Sequence, residues 1–144
     1  MEYFRIKTVS EEDVDRVVDS AGGQRIREEG SADYLFKGAI MDLKLIQEEG
    51  FDKSTRQAKI ASLFRITSPQ SPVVVVNPNR LPHEDQRAYY NIVSGPIKTH
   101  IKKAAHQLDV TRRRYPGDST RVLLILNVGY TALAPEEFSS VCLK

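Results

Sequence analysis

Two short runs, ADYLF (residues 32–36) and AIMDLKLI (39–46), are separated only by Lys37 and Gly38. A two-residue loop is the shortest common hairpin connection, and a strand pair joined that way has little freedom of register. Phe36 then opposes Ala39, Leu35 opposes Ile40, Tyr34 opposes Met41, and Asp33 opposes Asp42. The period of two sorts the side chains. Tyr34, Phe36, Met41, Leu43 and Leu45 form a core-like face; Asp33, Leu35, Ile40, Asp42, Lys44 and Ile46 form the other. A slip of one residue would carry the charges among the core side chains, so the apolar pattern favours the register in which the aspartates face each other.

The remaining elements alternate around this hairpin. SEEDVDRVVDSAGG (10–23) reads as a helix capped by Ser10, with acids in its first turn, Val14, Val17, Val18 and Ala21 on its apolar face, and Gly22-Gly23 at its end. GQRIREEGS (23–31) holds a short strand or a loop. Residues 51–65 return to helix, with Asp52 as cap and Ala58, Ile60, Ala61, Leu63 and Phe64 on the buried face. VVVVN (73–77) and RVLLILNV (121–128) are continuous apolar runs typical of strands covered on both faces. Residues 84–94 and about 97–113 read as two helices interrupted at Gly95-Pro96; Ile97, Ile101, Ala104, Ala105 and Leu108 recur at helical spacing in the second. Residues 134–144 open a further helix with Pro135 in its first turn, and the abrupt stop reads as a fragment of a longer chain.

The expectation is one α/β domain over 1–144. A mixed sheet starts with the hairpin, βαβ-type strands follow, and helices cover both faces. The two apolar strands are expected to be parallel neighbours through right-handed crossovers.

Charge and cysteine usage narrow the setting. The 144 residues carry a formal net charge of only +2 and a single cysteine, Cys142, so no disulfide can form within the chain. A reducing, cytoplasmic location is expected. The start MEYFRIKTVSEED turns acidic where a signal peptide would be apolar, and no apolar run reaches membrane-spanning length. The charge is unevenly distributed. Residues 1–50 are rich in acids, whereas Lys98, Lys102, Lys103, Arg112, Arg113, Arg114 and Arg121 crowd residues 96–121. Such a segment attracts polyanions or is an ordinary solvated helix face.

In the hairpin register the Cα atoms of Asp33 and Asp42 lie roughly 5 Å apart. Two ionised carboxylates there need a positive partner. Mg²⁺ is the simplest, since it takes one or two carboxylates and keeps several waters. Lys44 stands on the same face, about 7 Å along the strand, within reach of a water or a phosphate. Two acids, a divalent cation and an ammonium suit phosphodiester hydrolysis.

These residues resemble a family. Asp33 followed by Asp42-Leu43-Lys44 on the adjacent strand, led in by Gly38-Ala39-Ile40-Met41, is similar to the PD-(D/E)XK, or restriction-endonuclease-like, nucleases. The helix before, the helix after and the later apolar strand match that family's αβββαβ core. The resemblance implies a Mg²⁺- or Mn²⁺-dependent nuclease acting on DNA ahead of RNA, with a homodimer as one assembly and no membrane partner. It implies that Asp33, Asp42 and the backbone carbonyl of Leu43 bind the metal and that Lys44 orients or activates the water. It adds Glu11 as a first-helix ligand, although Glu11 reads equally well as a helix-end acid. Ala32 stands where the family carries proline, the two acids are closely spaced, and Asp42 replaces the more frequent glutamate.

Alternatives stay open. Asp33 also fits a strand cap after Gly30-Ser31, and Asp42 and Lys44 fit a solvated strand face with diagonal charge pairing. An inactive domain of the same fold, binding nucleic acid or a protein partner, is the competing function; a plain interaction domain is a third. Lys98, Lys102, Lys103, Arg112 and Arg113, with His106 nearby, are the candidate phosphate-backbone contacts. His83, His100 and His106 lack metal-ligand spacing, Tyr89-Tyr90 read as packing residues, and no P-loop or dinucleotide fingerprint occurs. Asn77 and Arg80 follow a strand end, where ligands gather in open α/β sheets.

Overall fold

The computed structural model describes residues 8–47, 51–64, 76–117 and 120–144. The chain divides into two compact units: residues 1–47 with 100–128, and residues 48–99 with 129–144.

The first unit is built on a four-stranded sheet. The helix α1 (Glu11–Ser20) precedes the strands β1 (Gln24–Arg25), β2 (Tyr34–Phe36) and β3 (Ala39–Ile46); β4 (Thr120–Asn127) comes late in the chain. The spatial order is β1-β2-β3-β4. β1, β2 and β3 run antiparallel, with Gln24 opposite Leu35 and Tyr34 opposite Met41. β4 runs parallel to β3, from Ala39 opposite Thr120 to Ile46 opposite Asn127. The hairpin register expected from the sequence is formed at Tyr34–Met41, Leu35–Ile40 and Phe36–Ala39; the expected Asp33–Asp42 pair is not part of the ladder, because Asp33 precedes β2 and its N–H donates to Met41 O. Lys37 and Gly38 both adopt left-handed backbone angles (φ 47° and 78°), the pair of conformations that matches a tight turn to the twist of its strands.

Both faces of this sheet are covered. On one, Val14 and Val18 of α1 pack with Tyr34 and Leu43, flanked by Met41, Leu45, Leu124 and Leu126. On the other, Ala32, Ile40 and Leu108 form a second cluster with Leu35 and Leu123. Each fully buried aliphatic side chain contributes about 1.5–3 kcal/mol, so Ile40 and its neighbours account for the closure of the face that also carries Asp42. α1 begins as expected: the Ser10 hydroxyl accepts from Asp13 N–H at 3.3 Å, and the Asp13 carboxylate accepts from Ser10 N–H at 2.9 Å. This reciprocal cap satisfies two donors at the helix start.

Several expectations are corrected. Val17, expected on the apolar face of α1, is 65 % exposed, and Ala21 is exposed as well; the stripe that meets the sheet is only Val14 and Val18. β4 was expected to lie beside residues 73–77 as a fully buried strand. Its partner is β3, and its central residues are half-buried. Residues 73–75 lie outside the described residues; Val76 and Asn77 form no strand.

The second unit is helical among its described residues. It contains α2 (Ser54–Leu63), a short 3₁₀ turn (Pro78–Arg80), residues 83–99 of α3 and the helix α4 (Pro135–Cys142). α3 runs without interruption from His83 to Arg114, with Pro96 inside it. An interior proline costs roughly 3 kcal/mol. Val93 and Ile97, on either side of it, are completely buried, and that burial offsets the missing hydrogen bond. Asp52 does not cap α2: Lys53 occupies the cap position, no side chain bonds there, and Ala58 is exposed. Asn77 instead caps the 3₁₀ turn, accepting from Asn79 N–H at 3.1 Å. No helix among the described residues is long and apolar enough to cross a membrane.

Candidate functional site

Asp33, Asp42 and Lys44 are brought together in the first unit, each for a local reason. Asp33 immediately precedes β2. Its backbone N–H donates to Met41 O at 3.0 Å and its carbonyl accepts from Ile26 N–H at 2.8 Å, so the residue is held from both sides. Its Oδ2 accepts from Leu43 N–H at 2.7 Å. The carboxylate thus continues the β2–β3 ladder where backbone pairing ends. Backbone N–H and C=O of one strand residue point toward the same neighbour; the Leu43 carbonyl therefore lies on the Asp33 side.

Asp42 is wholly buried, and the Lys44 side chain retains 12 % exposure. Lys44 Nζ approaches Asp42 Oδ2 to 2.6 Å, an ion pair that is close but poorly aligned as a hydrogen bond. Burial pushes the Asp42 carboxyl above its ordinary value; Lys44 opposes the shift, and the charge of the neighbouring Asp33 adds to it. A buried carboxylate is costly unless a cation meets it, and Lys44 is the cation that does so here.

Gln107 of α3 completes the arrangement and was not foreseen. Its Oε1 accepts from Lys44 Nζ at 2.9 Å and its Nε2 donates to Ser31 O at 3.1 Å. One turn on, the buried Thr111 hydroxyl accepts from Ala32 N–H at 2.7 Å and donates to Gln107 O at 2.8 Å. Arg114 holds the same loop through Ser31 Oγ (2.9 Å) and Glu28 (3.0 Å). The signal was present: Gln107 and Thr111 border the Ala104–Leu108 stripe, where α3 must face the polar side of β3. Ala105, expected in that stripe, is exposed.

Glu11 goes elsewhere. It pairs with Arg25, which also pairs with Asp15 and stands 3.8 Å from Asp33 Oδ1. Arg25 therefore lies between Glu11 and the aspartate pair. Tyr34 donates its hydroxyl to Asp15 at 2.6 Å. Burial would raise the Asp15 carboxyl, but the Tyr34 hydroxyl and Arg25 together outweigh it and lower it.

The candidate nucleic-acid residues Lys102, Lys103, Arg112 and Arg113 are exposed on α3 in the first unit and make no ion pair among the described residues. The buried side of that segment is Ala104, Leu108 and Thr111, so these cations project from the flanks and outer side of the helix and not into the Asp42–Lys44 site. Lys98 is exposed in the second unit, and Arg121 is paired with Asp109.

Asp42 has the donor chemistry for a divalent cation, a buried carboxylate beside a second carboxylate and a strand carbonyl, and such a cation would compete with Lys44 for its oxygens. Among the described residues no group of three His, Cys, Asp or Glu side chains is gathered at ligating spacing, so such a site would draw on Asp33, Asp42 and the Leu43 carbonyl. Compared with known proteins, the chain matches no family model, no curated protein and no solved structure.

Proposed function

We propose that this chain is a metal-dependent nuclease of the restriction-endonuclease-like type, hydrolysing phosphodiester bonds in DNA or RNA. The observation that carries the reading is the buried Asp42 carboxylate beside Asp33, with Lys44 Nζ 2.6 Å from its Oδ2. The order of elements adds support: within the first unit the chain runs helix, three strands, helix, strand.

Asp33, Asp42 and the Leu43 carbonyl would hold Mg²⁺ or Mn²⁺, which when bound lowers the pKa of water and stabilises charge on the attacked phosphoryl group. Lys44 would release Asp42 and turn its ammonium to the attacking water or to a phosphate oxygen. Gln107 would keep that ammonium aligned. Lys102, Lys103, Arg112 and Arg113 would contact phosphates away from the reacting bond, positioning without reading sequence.

The test is cleavage of an oligonucleotide with Mg²⁺ or Mn²⁺. The wild type is expected to cleave; Asp42→Asn and Lys44→Ala are expected to abolish cleavage with unchanged circular dichroism. Equal cleavage by wild type and both variants would sink the assignment. The complete burial of Asp42 favours a second reading, an inactive domain of this fold that binds nucleic acid or a protein partner. Salt-sensitive nucleic-acid binding without cleavage by any form would mark its nucleic-acid version.

A further inference from the structure

The second unit contains a groove of about 530 Å³ between α3 and α4. That size falls in the range of small-molecule sites, about 300–1,000 Å³. Arg87, Asn91, Ser94 and Lys98 line it from one face of α3, at spacings of four, three and four residues. Leu133 and Val141 supply an apolar floor.

Ser94 sets this groove apart from an ordinary surface crevice. The residue is only 3 % exposed and its hydroxyl makes no hydrogen bond among the described residues, but that oxygen is not sealed from solvent as the two of Asp42 are. A helical serine commonly returns its hydroxyl to the carbonyl one turn back, as Thr99 does to Gly95 O at 3.0 Å. Ser94 does not, and it lines the groove. The charges point the same way. Arg87, Lys98 and Lys144 border the groove without ion-pair partners among the described residues. Of the two carboxylates there, Glu137 is engaged by the Tyr90 hydroxyl at 2.8 Å and by Ala134 N–H at 2.9 Å. Glu136 and Glu137 oppose the three cations, which leaves one positive charge in excess among these side chains.

We infer that this groove binds a small organic phosphate, its phosphoryl group met by Arg87, Lys98 and the Ser94 hydroxyl and its apolar body resting on Leu133 and Val141. The excess of positive charge attracts an anion, and phosphate oxygens accept several charge-assisted bonds at once. Inorganic phosphate would leave most of the volume unfilled. The site is independent of Asp33, Asp42 and Lys44.

The test is an NMR titration of the whole chain with phenyl phosphate, against benzoate, phenol and inorganic phosphate. Phenyl phosphate is expected to give saturable shifts at the Asn91, Ser94 and Ser140 amides, with the three comparison compounds binding about tenfold more weakly or worse. The double variant Arg87→Gln/Lys98→Gln, altered only at exposed positions, is expected to lose about tenfold or more. Asn91→Trp, also at an exposed position, is expected to block binding. Phenol or benzoate binding as tightly as phenyl phosphate would overturn the assignment, as would shifts confined to other residues or an unaffected double variant.

Discussion

Lys44 Nζ stands 2.6 Å from Asp42 Oδ2 and also donates to Gln107 Oε1, at 2.9 Å. The ammonium is thus held by a neutral acceptor while its charge faces a buried carboxylate. A divalent cation entering the site would compete with this ammonium for the Asp42 oxygens.

The first prediction concerns pH. The Asp42 carboxyl is raised from 3.8, mainly by burial. Above the unfolded-state value, the native state therefore binds more protons at this residue than the unfolded chain does. Its contribution to stability is complete below about pH 4 and is lost as pH rises through the raised native value. Asp42→Asn removes this dependence. Urea unfolding from pH 4 to 8 should show wild-type stability falling relative to Asp42→Asn as pH rises. A constant difference between the two would refute the raised carboxyl. Asp15 contributes with the opposite sign, losing stability as pH falls below 3.8, and cancels in the comparison.

Gln107→Leu should remove the neutral acceptor that Lys44 bonds at 2.9 Å. Stability should fall by about 1 kcal/mol, and cleavage roughly 10–100-fold. The loss should appear in kcat with KM little changed, and Gln107→Glu, which keeps the acceptor, should recover part of it. Equal kcat for wild type and Gln107→Leu would remove Gln107 from the site.

Thr111→Val keeps the shape of a fully buried residue but strands the Ala32 N–H, which the hydroxyl accepts at 2.7 Å. The cost should be about 1–3 kcal/mol, with Thr111→Ser far milder. Amide exchange at Ala32, the residue before Asp33, should accelerate in the valine variant alone. Equal stability of Thr111→Val and wild type would contradict this anchoring.

The hairpin was the most legible part of the fold because three constraints coincide there: a two-residue loop, strict alternation, and charges confined to one face. Lys37-Gly38 leaves a single register that keeps Leu43 in the core, and the chain adopts it. The apolar run 121–128 identified a strand but did not reveal its pairing with β3, because a continuous run carries no alternation to specify a partner. Pro96 misled for a different reason. Its local cost is real, but the burial of Val93 and Ile97 is tertiary and does not show in the Gly95-Pro96 pair. Gln107 escaped notice because a glutamine beside an apolar helix stripe acquires meaning only when Lys44 is placed opposite it.

The most direct measurement of the central claim is Mn²⁺ uptake, followed by calorimetry and by the manganese resonance signal. The wild type should take up a saturable Mn²⁺ ion that Mg²⁺ displaces, while Asp33→Asn and Asp42→Asn, folded by circular dichroism, should bind far more weakly. No uptake by the wild type, or equal uptake by both variants, would contradict a cation site between these carboxylates.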